Sequence, residues 1–286
     1  MKATTHNEYH KSINKAVDYI NDNLNKSIGL KPLAKISNIS EFHFHRLFKA
    51  FIGESIGSYI TRQRIERSAR ILQTSNYTLT EIAERVGYQS AYSLSKAFKK
   101  HFGVSPSAFR NIETFFSSKS TIDKPALLNL DPEIISIEEK ELVYIRIISK
   151  YGSEKDYAVA WNELIQYGKA NNILNSKTEY IGLSFDDPNI TKPDKCRFYA
   201  CISTDKTIEP KGKFGAQTIK KGKYAVFKLK GSYSGLAKLY DSIYFDWLPK
   251  SNFQLRNGLP FEKYLNDPDK VETSEILTEI FIPIRH

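Results

Sequence analysis

The stretch SEFHFHRLFKAF, Ser40 to Phe51, puts four aromatics, two histidines and two cations into twelve residues. At the helical period Phe44, Leu47, Phe48 and Phe51 form one apolar stripe. The opposite face holds Phe42, His43, His45, Arg46 and Lys49, with no acid among them, and such a face suits a polyanion. His43 and His45, two apart on a helix, diverge and make a poor metal pair. The rest of the sequence offers no Gly-rich phosphate loop, nucleophile elbow or metal-ligand cluster. Neither a catalytic set, a metal site nor a cofactor is therefore expected.

Charge placement sharpens that reading. The 286 residues carry a formal net charge of +10, with 17 Lys and Arg against 8 Asp and Glu in residues 1–110 and 25 against 24 in the remainder. A basic first part beside a nearly neutral second part points to nucleic acid as partner of the first, and the length suits two domains. Cys196 and Cys201 are the only cysteines, too few for a disulfide framework or a zinc site. The N-terminal MKATTHNEYHKS has no apolar run after its charge, and no stretch approaches the ~18 apolar residues of a membrane span. A cytoplasmic protein with no membrane partner is expected.

The elements that position the basic face occur twice. LAKISNIS, from Leu33, matches IAERVGYQS, from Ile82, and SEFHFHRLFKAFIGES matches SAYSLSKAFKKHFGVS, at an offset of 49 and then 50 after the inserted Gln89. Each unit reads as a short helix, a turn and a longer helix. Asn38 and Gly87 occupy the turns, where a positive φ is needed. Thr78 with Glu81 spells a capping box, Ser40 and Ser90 are the expected N-caps of the longer helices, and Gly53 and Gly103 stop them. Helix, turn and basic helix is a helix-turn-helix pattern. Between the copies, Glu54 to Ser75 carries Ile56, Ile60, Ile65, Ala69 and Leu72 on one face. Some twenty helical residues at 1.5 Å rise reach roughly 30 Å, near the ~34 Å between successive major grooves on one face of B-DNA. A monomer reading two adjacent grooves of double-stranded DNA is expected.

Residues 8 to 111 resemble the DNA-binding domain of the AraC/XylS transcription regulators. LAKISNISEFHFHRLFK, RIERSARIL and above all IAERVGYQSAYSLSKAFKKHFGVSPSAFR carry the resemblance, with Asn38 standing where the family prefers Gly. It implies base contacts from Phe42, His45 and Arg46 in the first recognition helix and from Gln89, Ala91, Tyr92 and Lys96 in the second. Lys99, the repeat mate of Lys49, joins the cationic face. RNA polymerase is an implied further partner.

A polar stretch from Thr114 to Leu130 reads as a linker. Beyond it ELVYIRIISKY and KYAVFKLKGSY alternate like strands, each followed by a helical stretch, Lys155 to Asn171 and Ser234 to Leu248, and by two more strands. An offset of 80 matches Tyr144 with Tyr224, Asp187-Pro188 with Asp267-Pro268, and sets Tyr199 opposite Glu279. The expected fold is thus an all-α double helix-turn-helix domain, residues 1–113, a linker, 114–130, and an α+β domain, 131–286. The latter would be two βαββ repeats with antiparallel sheets and a cleft between the sheets.

Element order, YIGLSFDDP, PFEKYLNDP and TEIFIPI make this half similar to the gyrase-inhibitor-like effector domains, in an order resembling the Rob-type regulators. The resemblance implies a small hydrophobic cation as effector and a glutamate on the last strand at the base of an aromatic cleft, a position that Glu279 matches. Alternation puts Phe281 on its face, and Tyr199, Trp247 and Tyr264 are candidate walls, since ring faces attract cations. The expected function is a DNA-binding transcription regulator that senses a small molecule. A hydrolase or a protein-interaction module in the second half are the open alternatives.

Overall fold

Local signals set where the helices of the first half begin and end. The computed structural model describes residues 3–111, 130–206, 208–256 and 258–285. The expected linker, 114–130, lies outside them except for Leu130. The chain divides into two units, Met1–Lys124 with Lys211–Lys213, and Pro125–Pro210 with Phe214–His286.

The first unit has helices α1 (Ala3–Asp22), α2 (Leu30–Ile36), α3 (Glu41–Ile52), α4 (Ile56–Thr74), α5 (Leu79–Val86), α6 (Ala91–Phe102) and α7 (Pro106–Asn111). The pairs α2/α3 and α5/α6 are the two helix-turn-helix copies. Asn38 and Gly87 have φ of 53° and 83° in their turns, and Gly53 and Gly103 close α3 and α6 in the left-handed region. Thr78 and Glu81 form the expected capping box, and Ser90 accepts the Ser93 amide. Ser40 departs from expectation. It occupies the N-cap position of α3, yet its hydroxyl bonds no backbone N–H and lies 3.3 Å from His43 Nδ1.

Seven residues are too few for α2 to hold itself as a helix in water. Burial of Leu33 and Ala34 against its neighbours holds it instead. Around the first copy Ile13, Ala16, Val17 and Ile20 of α1 are buried with Phe44 and Phe48 of α3, and in the second copy Ile82, Ala83, Leu94 and Phe98 are buried. Connector α4 contributes Ile56, Tyr59, Ile60, Ile65, Ala69 and Leu72, so its apolar stripe is buried along its length. Arg62 fastens the start of α4 by pairing with Glu54 at 2.5 Å and Glu66 at 3.0 Å.

The second unit is one sheet, and not two sheets facing across a cleft. Its strands are β1 (Glu133–Ile137), β2 (Lys140–Ile148), β3 (Tyr180–Ser184), β4 (Arg197–Thr204), β5 (Phe214–Ile219), β6 (Gly222–Lys230), β7 (Gln254–Leu255), β8 (Phe261–Tyr264) and β9 (Leu277–Arg285). They run in the order β1-β6-β9-β8-β3-β4-β2-β5, with β7 added on β9. Strands β1, β5 and β7 lie outside the expected set. The halves are fused because β3 pairs antiparallel with β8, setting Gly182 opposite Glu262. Those two residues are 80 apart, so the repeat maps the pair onto itself and the pseudo-twofold passes through it.

Helix α8 (Glu154–Ala170) and helix α9 (Leu236–Asp241) both lie on one face of this sheet. Helix α9 runs on through a π-helical stretch, Ser242–Trp247, and a last turn, Leu248–Lys250. Ile280, Ile282 and Ile284 pack beneath it with Leu239 and Ile243, as the alternation of β9 predicts. The other face is a second apolar layer, with Tyr144, Tyr199, Tyr224, Phe261 and Phe281 buried.

The caps give a direct measure of these local signals. Thr78→Ala should cost about 1 kcal/mol in a denaturant melt, whereas Ser40→Ala, removing no backbone bond, should stay within about 0.5 kcal/mol of wild type.

Candidate functional site

Two surfaces emerge, one in each unit. On the first, Phe42 is 68% exposed and Tyr92 78%, which makes them the most exposed large hydrophobic side chains among the described residues. They are mates in the 50-residue repeat. A ring left in water at the same position of both copies is a surface awaiting a partner. Arg46 stands over the Phe42 ring, its guanidinium carbon 5.7 Å from the centroid. His43, His45, Arg46 and Lys49 of α3 are exposed, as are Gln89, Lys96 and Lys99, while Ala91 is half-buried. The repeat thus presents one aromatic and two cations twice, Phe42, Arg46 and Lys49, then Tyr92, Lys96 and Lys99. A guanidinium offers guanine O6 and N7 two bonds, a lysine one charge, and a ring can cover a thymine methyl.

The second surface lies on the helix-covered face of the sheet. At its floor Glu262 of β8 is 4% exposed. Its carboxylate accepts bonds from Tyr264 Oη at 2.6 Å, Tyr240 Oη at 3.3 Å and Ser184 Oγ at 3.4 Å. Among the described residues all its hydrogen-bond partners are hydroxyls. Burial pushes the Glu262 carboxyl above its ordinary value, against the opposing pull of the three donors. Burial first, and then the Glu262 charge, push the Tyr240 and Tyr264 hydroxyls well above theirs, so both stay protonated and remain donors.

Aromatic rings rise on both sides of this carboxylate. Trp161 of α8 meets Tyr264 edge to face at 5.7 Å, and Tyr233 does so at 5.6 Å. Tyr157 stacks on Phe198 at 4.5 Å, and Tyr240 runs parallel to Tyr244. Tyr157, Trp161, Tyr240, Tyr244 and Tyr264 are each half-buried, as the walls of a groove between α8 and α9 would be. Gly182 completes the floor. A Cβ there would stand 2.3 Å from Tyr264 Oη and 2.8 Å from the Phe198 ring, so glycine lets Tyr264 lie over β3 and reach Glu262.

The structure does not bring the five expected ligand residues together. Tyr264 lies beside Glu262. Glu279, Phe281 and Tyr199 point to the other face, because Glu279 is opposite Lys263 and Lys228 in register while Glu262 is opposite Ile280. Tyr199 is fully buried there, stacked on Tyr144 and bonded by Arg146 Nε at 2.8 Å, and Phe281 stacks on Phe261. Trp247 is on the helix side but packs between Phe227 and Phe253, within the core of its own half. The residue missed was Glu262, and its signal was present in PFEKYL: it precedes Tyr264 by two and therefore shares its face.

Cys196 and Cys201 are buried, with thiols that donate to the Thr191 and Lys192 carbonyls and to the Tyr199 carbonyl. No group of His, Cys, Asp or Glu that could hold a metal ion occurs among the described residues. No helix among them is long and apolar enough to cross a membrane.

Comparison with known proteins bears on both surfaces. Residues 130–285 match the GyrI-like small molecule binding domain, and residues 33–112 match a helix-turn-helix domain. The HTH-type transcriptional activator AarP of Providencia stuartii is 32% identical over 130 residues, 45% of this chain and 90% of that protein. The uncharacterized HTH-type transcriptional regulator YbfP of Bacillus subtilis is 31% identical over 111 residues, 39% of this chain, which spans 38% of that relative's length. A solved EcmrR–DNA complex shares 17% identity over 90% of this chain and 98% of that one, at a TM-score of 0.49.

The buried carboxylate has a consequence for stability. Its raised value means that the folded chain holds this proton more tightly than the unfolded chain does. The stabilisation is therefore full below the unfolded carboxylate range, about 4.3, and is lost as pH rises through the raised value. Glu262→Gln should melt above wild type at pH 7, and the two melting curves should converge as the pH is lowered toward 4.

Proposed function

We infer that this chain, which belongs to the AraC-type helix-turn-helix transcription regulators with a C-terminal GyrI-like small-molecule-binding domain, is a monomeric regulator switched by a hydrophobic cation. DNA binding and small-molecule binding follow from the family. The ligand class, the contacting residues and the mode of DNA reading are our proposal.

Glu262 carries the ligand assignment. A carboxylate this deep, held by three hydroxyls and walled by rings, is costly to leave charged and is stabilised when a cation completes it. Ring faces add to the attraction for a flat or quaternary cation, by about 0.5 to 2 kcal/mol per contact. Binding, and not turnover, is the proposed role, because every described partner of Glu262 donates to it and holds it as a fixed negative charge. Steady release of product from a bound ester or amide would overturn that and favour a hydrolase.

For DNA, Phe42, His45 and Arg46 on α3 and Gln89, Ala91, Tyr92 and Lys96 on α6 are proposed to meet bases in two adjacent major grooves. His43, Lys49 and Lys99 are proposed to meet phosphates. The nineteen residues of α4 reach about 28 Å at 1.5 Å each, close to that groove spacing. RNA polymerase is a proposed partner, in keeping with the activator name of AarP.

Two measurements test the reading. Arg46→Ala should cost about 1 to 3 kcal/mol and relax preference at one base pair, while Lys49→Ala should weaken all sequences alike and reduce the salt slope by about one. Equal loss on every operator variant for Arg46→Ala would make it a phosphate contact. In calorimetry, an aryl trimethylammonium should bind more tightly than its neutral tert-butyl isostere. Glu262→Gln should weaken the cation at least tenfold, about 1.4 kcal/mol, and leave the isostere and DNA unaffected. Equal affinity of wild type for both compounds would remove the cation assignment.

A further inference from the structure

Arg64 lies midway along connector α4, and three parts of the first unit meet at its guanidinium. Nε donates to the Leu24 carbonyl at 2.9 Å and Nη2 to the Lys26 carbonyl at 2.6 Å. Both carbonyls follow the C-terminal end of α1, which packs against both helices of the first helix-turn-helix copy. A carbonyl-rich helix end favours a cation, and the planar fork serves two acceptors at once.

The same Nη2 also faces the second copy. A Cβ on Gly87, in the turn between α5 and α6, would stand 2.4 Å from the Leu24 oxygen and 2.8 Å from Arg64 Nη2. The φ of 83° at Gly87 also disfavours any larger residue. The end of α1 and the turn of the second copy thus approach to backbone contact, with Arg64 bonded at the seam. A stiff α4 alone sets how far apart the copies are. It leaves each free to rock about its own junction with the helix, and bonds from the middle of α4 to the segment after α1, which packs on the first copy, beside the turn of the second, remove that freedom.

We propose that Arg64 is a positioning residue that fixes the relative rotation of the two recognition helices and so determines which separation of half-sites the protein accepts. The proposal rests on the two-groove reading of DNA. Arg64 makes no base contact in it; it acts through Leu24, Lys26 and the Gly87 turn.

The test uses the full chain and an operator obtained by selection from random DNA. One base pair is inserted or removed between the two contacted segments, turning one against the other by about 35°. Wild type should lose at least tenfold in affinity for either change. Arg64→Ala should lose less than threefold for the same changes and bind each isolated half-site within threefold of wild type, which also reports that the fold is intact. Arg64→Lys keeps the charge but not the fork, and its profile should be as flat as that of Ala. If Arg64→Ala does not fold, Arg64→Gln, with one donor left, should give the same flattened profile. A variant profile as sharp as wild type, or a lysine profile restored to it, overturns the role given to Arg64. A wild type indifferent to spacing overturns the two-groove reading itself.

Discussion

Strand β3 pairs with β8 across the pseudo-twofold, and the pair on the axis is Gly182 and Glu262. Most of the sensing half depends on that pairing. It joins two repeats into a single sheet, so the helices of both halves fall on one face and flank the proposed ligand groove. It also puts the one position where the repeat must meet itself at the floor of that groove. Two copies of any large side chain would collide there. One half supplies glycine, over which Tyr264 folds, and the other supplies the carboxylate that Tyr264 bonds. A departure from symmetry at the axis thereby gives the groove its charge.

The two units treat charge in opposite ways. Recognition helices α3 and α6 carry Arg46, Lys49, Lys96 and Lys99 in water, where each charge is cheap to maintain and is screened by salt. Such a surface attracts a polyanion from a distance and depends strongly on ionic strength. Glu262 is a single charge out of water, where Coulomb interactions are much stronger and any partner must be specific in place and sign. In the proposed reading a DNA site is met by many weak exposed contacts, and a small ligand by one strong buried one.

Short helices place a further demand on the first unit. Neither α2, with seven residues, nor α5, with eight, has enough intrinsic stability to persist alone. Helix α2 takes its orientation from α1 and α3, and α5 takes its own from α4 and α6. Arg62 pairs at the start of α4 and Arg64 bonds at its middle tie that connector to its surroundings.

Periodicity, repeats and caps were legible in the sequence because they are local. The positive-φ turns at Asn38 and Gly87, the capping box at Thr78 and the buried isoleucines of β9 all depend on residues within a turn or a strand of each other, and the 50-residue repeat writes such a local pattern twice. The exposed aromatic and cations of α3 and α6 were legible for the same reason. Ser40 was misread because a hydroxyl near a helix start has a side-chain partner, His43, as well as the backbone.

Only the tertiary structure decided which glutamate faces the groove. Alternation sorts β9 and β8 into two faces, and both faces of this sheet are covered: all eight residues of β4 are buried. With no wet face to mark one side as polar, the sequence by itself determined that Glu279 joins Phe281 and that Glu262 joins Tyr264, but not which pair lies under α8 and α9. Strand order and register, set by pairing between residues 80 apart, made that choice.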